Sequence, residues 1–532
     1  MDVEATRQAL TRRAALLPIL VSAAVVALAA YPEARVPLNG DAHWILTMAG
    51  RVLDGQHLYR DILEINPPLI VWLQLPVVWL ARLLALPPPL VYRLGVFALA
   101  LLASWAAAGF VAASKARRLA GWSLPACLAA VLLVPAGAFG QREQIITALL
   151  LPLVALAAAR MDGGAPSRRG AIAAGIAAGI GIALKPFFVL LWVLLLAVRS
   201  AHARRVRVEP EDAAIIAVGA AYLATVAVAA PAFFEVIRVF GAAYAAFTPA
   251  HSVGYLLANA ATVWAVAATV AWLVRREPRS GLGKALAASL AGAMLAALLQ
   301  GKGWTYHYVP AVSFSVLLGF LALASRPSSL PDDPGAGLRR ISRALAAFLL
   351  LLAWVPLAQR MAGRLGRAEG RPTRSVRQLA SAVARERDAR TILVLAADMT
   401  SALSWISDLG LTERSSFPFL WVPAVAYRTR WNGNPQVALR SRGRMGTAEG
   451  SAYDAVVSDL VRHTPDVLVV ETRKKNEELT GFPGGFDHLV YYGRDARFAK
   501  CFLEFRLSAV LDDYLVFRRG GALGRKDCGD GG

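Results

Sequence analysis

Acidic residues that could move a proton are concentrated between residues 31 and 92. Five of them fall within 32 residues, namely Glu33, Asp41, Asp54, Asp61 and Glu64. A segment that only connects two helices would not need so many. Asp41 is the candidate general base, because a partly desolvated carboxylate is suited to accept a proton from an attacking hydroxyl or amine. The alternative is structural, since helical periodicity follows from Ala42 and places Asp41 at the expected N-cap.

Other residues of this segment are expected to support the candidate base. Tyr59 and Asn66 are polar groups of the same stretch, and Asp61 and Glu64 are predicted on a solvated face. Pro67 and Pro68 follow Asn66 and favour the start of a helix, because proline is tolerated in a first turn and restricts the residue before it.

A second set of polar residues interrupts apolar sequence further along the chain. Its candidates are Glu143 as a second catalytic acid, with Arg142, Lys185, Lys302 and His307 as ligands of a phosphate. Cations beside lipid suit a phosphate whose tail stays in the membrane. Each also has a structural alternative: an ion pair at a helix junction for Arg142 and Glu143, snorkelling for Lys185, and an interfacial aromatic belt around Lys302 and His307.

The elements that must position these groups are membrane helices. Hydrophobic residues make up 57% of the 532 residues and charged residues 17%, which is typical of a membrane protein. Eleven apolar stretches are predicted to span a bilayer, near 14–30, 93–113, 122–139, 144–159, 170–184, 186–198, 212–231, 254–274, 283–299, 308–325 and 344–357. The first is predicted to be retained as an anchor, with a cleaved signal peptide as the alternative.

Basic clusters between the spans predict the sidedness. Six lie near Arg13, Lys115, Arg168, Arg205, Arg276 and Arg340. The positive-inside rule assigns them to the cytoplasm, so the N-terminus is predicted inside. An even number of crossings must then separate Arg13 from Lys115, yet three apolar stretches lie between them, at 14–30, 67–86 and 93–113. One of the three cannot span, and the prolines within 67–86 make it the weakest, so we predict it as a helix on the outer surface. The net charge of +21 is divided between residues 1–357, at +14, and the remainder, at +7, and no basic block is interleaved with aromatic residues on a polar domain, which argues against a nucleic-acid partner.

The chain turns polar after residue 357. We therefore predict two domains: residues 1–357 in the membrane, with a first outer loop at 31–92, and residues 358–532 as a periplasmic α/β domain with a disordered terminal tail. Its strands are expected at 391–395, 466–470 and 514–517. Cys501 and Cys528 could pair there.

The first outer loop resembles that of membrane glycosyltransferases with the GT-C fold. The resemblance rests on Gly40-Asp41, on Asp54 through Asp61 and on Glu64 through Leu69. Its relatives are dolichyl-phosphate-mannose protein mannosyltransferases and bacterial aminoarabinose lipid A transferases. It implies that Asp41 is essential and that Glu143 matches a second acid. The chain departs from these patterns at Ala42, where an acid would follow Asp41, and at Asn66, where lipid A relatives have lysine.

These observations predict a bacterial inner-membrane glycosyltransferase. It would move a sugar from a polyprenyl phosphate to a glycolipid, polysaccharide or protein acceptor on the periplasmic side. No cofactor is assigned, and a divalent cation is left open. A transporter or flippase of lipid-linked glycans is the first alternative, and it would place ionisable residues inside spans rather than at one face. A non-catalytic assembly protein is the second.

Overall fold

A computed structural model describes most of the chain, in stretches separated by short gaps and one long one. The described residues are 3–36, 38–247, 251–274, 280–324, 344, 359, 362–363, 374–396, 405–406, 409–417, 420–431, 439–472, 475–476, 482–483, 486–520 and 528. The predicted span 344–357 and the predicted domain boundary at 357 lie outside this part apart from residue 344. The chain divides into two compact units, which we describe one at a time.

The first unit, called the helical unit, comprises residues 1–36, 84–225 and 250–369. Its helices are α1 (Val3–Glu33), α5 (Pro88–Ala112), α6 (Ala120–Leu128), α7 (Arg142–Met161), α8 (Arg168–Leu184), α9 (Val189–Ala203), α10 (Pro210–Ala229, whose last turns belong to the second unit), α12 (Val253–Leu257), α13 (Ala260–Val274), α14 (Gly281–Gln300) and α15 (Val309–Ala324). Within the described residues, helices therefore occupy the ten predicted spans that can be compared.

Seven described helices are long and apolar enough to cross a membrane. They are Leu16–Glu33, Pro88–Ala112, Arg142–Met161, Pro186–Ala203, Pro210–Ala229, Gly281–Gln300 and Thr305–Ala324. The protein is thus a multi-pass membrane protein, while the count of eleven spans stays a prediction. Helix α13 is shorter, and α6 continues into a π-helical turn at Ala129–Leu133, which is the kind of irregularity that bends a helix.

Helix α7 lies at the centre of the helical unit. It packs against α5, α8, α9, α14 and α15, and 17 of its 20 residues are buried. Glycine permits close approach elsewhere in this unit: a Cβ atom at Gly292 of α14 would lie 2.5 Å from the Cα atom of Leu191. Small residues at such contacts let neighbouring membrane helices pack closely.

The C-terminal end of α7 is held by a buried ion-pair network. Arg160 Nε donates to Glu211 Oε1 over 2.6 Å, and Arg199 pairs with both Glu211 and Asp212. Glu211 is fully buried, so its charge depends on these partners. Glu143 begins the same helix, and 17 residues at 1.5 Å each separate it from Arg160 by about 26 Å, close to the thickness of a hydrocarbon core.

The second unit, called the mixed unit, comprises residues 37–83, 226–249 and 370–532. Its helices are α2 (Gly40–Leu53), α3 (Leu69–Trp72), α4 (Leu75–Leu83), α11 (Ala232–Phe247), α16 (Arg374–Ala384), α17 (Trp421–Trp431), α18 (Thr447–Arg462), α19 (His488–Tyr492) and α20 (Ala496–Phe502). The expected helix after Pro67 and Pro68 is therefore present, as two short pieces.

A five-stranded mixed sheet forms the core of the mixed unit. Its strands are β1 (Thr391–Leu395), β2 (Thr412–Glu413), β3 (Val467–Glu471), β6 (Phe505–Val510) and β7 (Tyr514–Arg519), and Lys475–Asn476 (β4) pairs separately with Phe482–Pro483 (β5). The order is β2-β1-β3-β7-β6. The β2, β1 and β3 strands are parallel neighbours, and β7 is antiparallel to β3 and β6. The three predicted strands are present, and Cys501 and Cys528 form a disulfide.

Candidate active site

Asp41 lies in the first turn of α2, in the mixed unit. The helix begins at Gly40, and the side chain of Asn39 accepts a hydrogen bond from the Ala42 amide over 3.0 Å. The expectation that Asp41 is the N-cap is therefore wrong by two residues, because the asparagine takes that position. Asp41 is exposed. A carboxylate in a first turn is favoured by the helix dipole and keeps a fixed position there.

Glu64 is buried, which corrects its predicted place on a solvated face. Its Oε1 atom accepts hydrogen bonds from the backbone amide of Asn66 over 2.8 Å and from the Asn66 side chain over 2.6 Å. Its Oε2 atom accepts from Trp44 Nε1 over 3.0 Å. Only 8% of the residue is exposed. Glu64 thus connects the stretch before Pro67 to α2, the helix that carries Asp41.

Tyr59 supports the same loop from a strained backbone conformation. Its φ angle is 73°, which is uncommon for a residue with a bulky side chain. Its hydroxyl donates to the Asn66 carbonyl over 2.7 Å, and its ring packs against Phe233 with centroids 5.2 Å apart. The predicted supporting residues Tyr59, Glu64 and Asn66 therefore form one group.

Asp61, in contrast, is exposed. It accepts a hydrogen bond from the His57 amide over 2.7 Å. This bond, followed by smaller contributions from the His57 side chain and from Arg51, lowers the pKa of its carboxyl. Asp61 holds a turn of the loop. Asp54 is also exposed and pairs with Arg82 over 2.8 Å.

The helical unit brings together most of the second set of candidates around Glu143. Glu143 lies in the first turn of α7 and is fully buried, and its Oε1 atom pairs with the ammonium group of Lys185. His307 Nε2 lies 3.9 Å from the same oxygen, and only 3% of its side chain is exposed. The positive charges of Arg142 and Lys302 also act on the His307 ring. The ion pair at this helix junction joins Glu143 to Lys185, whereas the pair considered from the sequence was that of Glu143 with Arg142.

Local sequence explains why these side chains meet. Lys185 stands between α8 and the turn that begins at Pro186, and its extended backbone separates α8 from α9. Gly301 and Gly303 have φ angles of 66° and 67°, a left-handed conformation that glycine adopts without strain. They flank Lys302, and the short helix Thr305–Tyr308 that follows carries His307.

Aromatic rings surround the His307 side of this cluster. Tyr306 contacts His307 edge-on with centroids 4.6 Å apart, and Lys185 Nζ lies 5.7 Å from the centre of the Tyr306 ring. Trp304 lies 5.3 Å from His307. The aromatic residues that suggested an interfacial belt therefore also line the cationic group. Arg93, at the start of α5, instead contacts Glu33 at 3.5 Å and donates to the carbonyl of Val36 over 2.8 Å.

Two buried polar atoms of this cluster have no hydrogen-bond partner among the described residues: Oε2 of Glu143 and Nδ1 of His307. Buried polar atoms are nearly always paired, so unpaired ones fit a place where another molecule binds. Among the described residues, no three or more His, Cys, Asp or Glu side chains form a group that could hold a metal ion. We therefore assign a divalent cation no ligands.

The chain shares its fold with a solved structure of a membrane enzyme. ArnT from Cupriavidus metallidurans, an aminoarabinose transferase crystallised with undecaprenyl phosphate, aligns over 96% of this chain and 99% of its own, with a TM-score of 0.57 and 14% identity. The archaeal oligosaccharyltransferase AglB from Archaeoglobus fulgidus, in complex with an inhibitory peptide and a dolichol-phosphate, also matches, at 10% identity. The alignment covers 86% of this chain and 70% of the AglB chain, with a TM-score of 0.45.

No protein-family model and no curated protein sequence matches the chain. The ArnT match confirms the predicted fold class, a helical membrane protein of the GT-C type with a C-terminal α/β domain. At 14% identity the match establishes a shared fold alone.

Proposed function

We propose that the protein is a membrane glycosyltransferase that takes a sugar from a polyprenyl-phosphate donor. The observation that carries the proposal is the Glu143 cluster, in a fold shared with an enzyme crystallised with undecaprenyl phosphate. Lys185, Arg142 and Lys302 all place positive charge close to His307, and Lys185 also pairs with Glu143. Positive charge at this place suits a phosphate that becomes more negative as its sugar leaves.

Asp41 is the proposed general base. An acceptor hydroxyl or amine attacks the anomeric carbon of the donor sugar and loses its proton to the Asp41 carboxylate. The new bond joins the acceptor atom to the anomeric carbon, while the bond from that carbon to the phosphate oxygen breaks. The phosphate leaves with the electron pair, and the configuration at the anomeric carbon inverts. An exposed carboxylate at a fixed helix terminus is accessible to an acceptor from outside the protein.

The cations of the Glu143 cluster are proposed to act on the leaving phosphate. Lys185 is the nearest cation to Glu143, and this pairing holds its flexible side chain in one position. The free Oε2 of Glu143 and Nδ1 of His307 are proposed to contact the donor headgroup. The acceptor class stays at glycolipid, polysaccharide or protein, and we propose the outer face of a bacterial plasma membrane as the place of reaction.

The test is a transfer assay with the full chain in liposomes. The donor is a radiolabelled polyprenyl-phosphate sugar, and a cell-envelope extract supplies the acceptors. We expect label to move into an extract component and polyprenyl phosphate to be released in equal amount. Glu143→Gln should lower kcat at least 100-fold, because it removes the charge that holds Lys185. Label that only crosses the bilayer unchanged would instead identify a flippase.

A further inference from the structure

Arg51 connects the first outer loop to the C-terminal sheet within the mixed unit. It lies in the last turn of α2 and donates through Nη1 to the Ser415 carbonyl over 2.6 Å. The same nitrogen lies 3.9 Å from Glu413 Oε2, and Nε donates to Gln56 over 2.7 Å. Only 11% of the Arg51 side chain is exposed. A guanidinium group desolvated in this way depends strongly on its partners.

Two buried carboxyl groups act on that guanidinium. Glu413, on β2, is 2% exposed at its side chain, and Asp459, on α18, is 4% exposed. Asp459 accepts hydrogen bonds from the amide and hydroxyl of Ser416 over 2.8 and 3.0 Å. Burial lowers the pKa of the Arg51 guanidinium. The charges of Glu413 and Asp459 counteract this effect, the neighbouring Arg414 adds to it, and Asp61 counteracts it to a smaller extent.

Two further contacts attach the same loop to the C-terminal residues. The ring of Trp44 packs against the core cluster of the sheet, which includes Ile392 and Val469. The Leu63 amide donates to the Ser416 carbonyl over 2.8 Å. The loop is therefore attached at two places, through α2 and through the stretch that precedes Pro67.

The attachment points share one helix with the candidate base. Trp44 and Arg51 are seven residues apart in α2, so they lie on the same face two turns from each other. Asp41 is three residues before Trp44 and about 15 Å along the axis from Arg51. A helix fixed at two points on one face cannot tilt or rotate freely, and a tilt about either point would move Asp41. Displacement of a reacting group by ~1 Å can cost ~100-fold in rate.

We propose that the C-terminal α/β domain positions the first outer loop, and that Arg51 is the positioning residue through which it holds the Asp41 helix. The proposal rests on the proposed function for its effect on catalysis. Arg51 touches no substrate in this account and acts only through α2. The domain therefore contributes to the rate even though it supplies no reacting group of its own.

The exposed pair formed by Arg82 and Asp54 offers a matched control. Arg82 is on α4 and pairs with Asp54, the residue that ends α2, yet its side chain is 46% exposed. Loss of a pair in water has little effect on position or stability, whereas loss of Arg51 removes buried hydrogen bonds. The variants to compare are Arg51→Gln, Arg51→Lys and Arg82→Gln, each in the full chain in liposomes or nanodiscs.

The first measurement is hydrogen–deuterium exchange of the amides of α2. We expect exchange at least 10-fold faster in Arg51→Gln, an intermediate increase in Arg51→Lys, and less than a 2-fold change in Arg82→Gln. Lysine keeps the charge but cannot reach Gln56 and Ser415 with two directed N–H groups. If Arg51→Gln yields no folded protein, Arg51→Lys against Arg82→Gln gives the same comparison.

The second measurement is the transfer assay with the same variants. A positioning role predicts that Arg51→Gln lowers kcat at least 10-fold and changes KM for the donor less than 2-fold, because the phosphate-binding residues belong to the helical unit. Equal losses in kcat and in bound donor would instead indicate general unfolding and overturn the proposal. Exchange of α2 in Arg51→Gln within 2-fold of wild type would also overturn it. If the wild type transfers no sugar, the proposed function fails, and exchange alone still decides whether Arg51 holds α2.

Discussion

The junction around Arg51 should weaken as the pH rises. Burial raises the pKa of the Glu413 carboxyl from 4.5 to about 7, and burial likewise raises that of Asp459 to about 7. When the junction is closed, the carboxyl groups of Glu413 and Asp459 therefore bind protons more tightly than they do in an open state, in which the junction has separated and both groups are exposed to water. The resulting stabilisation is complete below the pKa of the open state, near 4, and is lost as the pH rises through about 7.

The magnitude follows from the pKa of Glu413 in the folded state, about 7, and in the open state, 4.5. Between pH 5.5 and pH 8 the free energy needed to open the junction falls by about 2 kcal/mol, so the equilibrium constant for opening rises roughly 30-fold. Asp459 acts in the same direction. Because the charge of Asp459 opposes ionisation of Glu413, the two effects are coupled and do not simply add.

The assay is hydrogen–deuterium exchange of α18 and of residues 412–417 across this pH range, corrected for the intrinsic effect of pH on amide exchange. We expect the corrected exchange to accelerate at least 10-fold from pH 5.5 to pH 8. Glu413→Gln combined with Asp459→Asn should remove most of this dependence, because neither amide titrates. Corrected exchange that stays constant in the wild type, or slows with rising pH, would refute the assignment of the two raised pKa values.

Three further predictions concern stability. Glu64→Ala should lower the free energy of unfolding of the mixed unit, measured with urea, by about 3 kcal/mol, because it leaves the buried donors of Trp44 and Asn66 unpaired. Glu64→Gln should lower it less. Gly292→Ala should lower the thermal midpoint by several degrees, because its Cβ would meet a neighbouring backbone, whereas Gly109→Ala, in open space, should not. Reducing the Cys501–Cys528 disulfide should lower the free energy of unfolding by about 3.5 kcal/mol for its separation of 27 residues, and an unchanged midpoint on reduction would contradict this.

The parts of the fold that the sequence predicted have strong local signals. Apolar runs gave the membrane helices, and the run at 391–395 gave β1 with both ends correct. The strands β2 and β6 were not predicted. β2 has only two residues, and most of β6 is exposed, so neither shows the apolar pattern of a buried strand.

Caps and burial of single residues were less predictable. Asn39 and Asp41 are both good N-cap residues, and the choice between them depends on where the chain turns. Glu64 was assigned to solvent because a charged residue in a loop is usually exposed. Its burial is compensated by Trp44, 20 residues away, and by Asn66. These partners are known only once the loop is folded.

The grouping of site residues was only partly predictable. Glu143, Lys185 and His307 were each identified as polar residues beside apolar spans, but their contact depends on how three helix ends pack. The role of Arg51 had no signal in the sequence, because its partner Ser415 is 364 residues away. Long-range partners of a single arginine cannot be inferred from the residues beside it.

The most direct test of the account is the transfer assay applied to Asp41→Asn. The full chain is placed in liposomes with a radiolabelled polyprenyl-phosphate sugar and an envelope extract. The matched control is Asp54→Asn, which removes another exposed carboxylate at the opposite end of the same helix. We predict that Asp41→Asn binds donor normally but transfers at least 1,000-fold more slowly, with Asp54→Asn near wild type. Near-normal transfer by a folded Asp41→Asn protein would contradict the central claim.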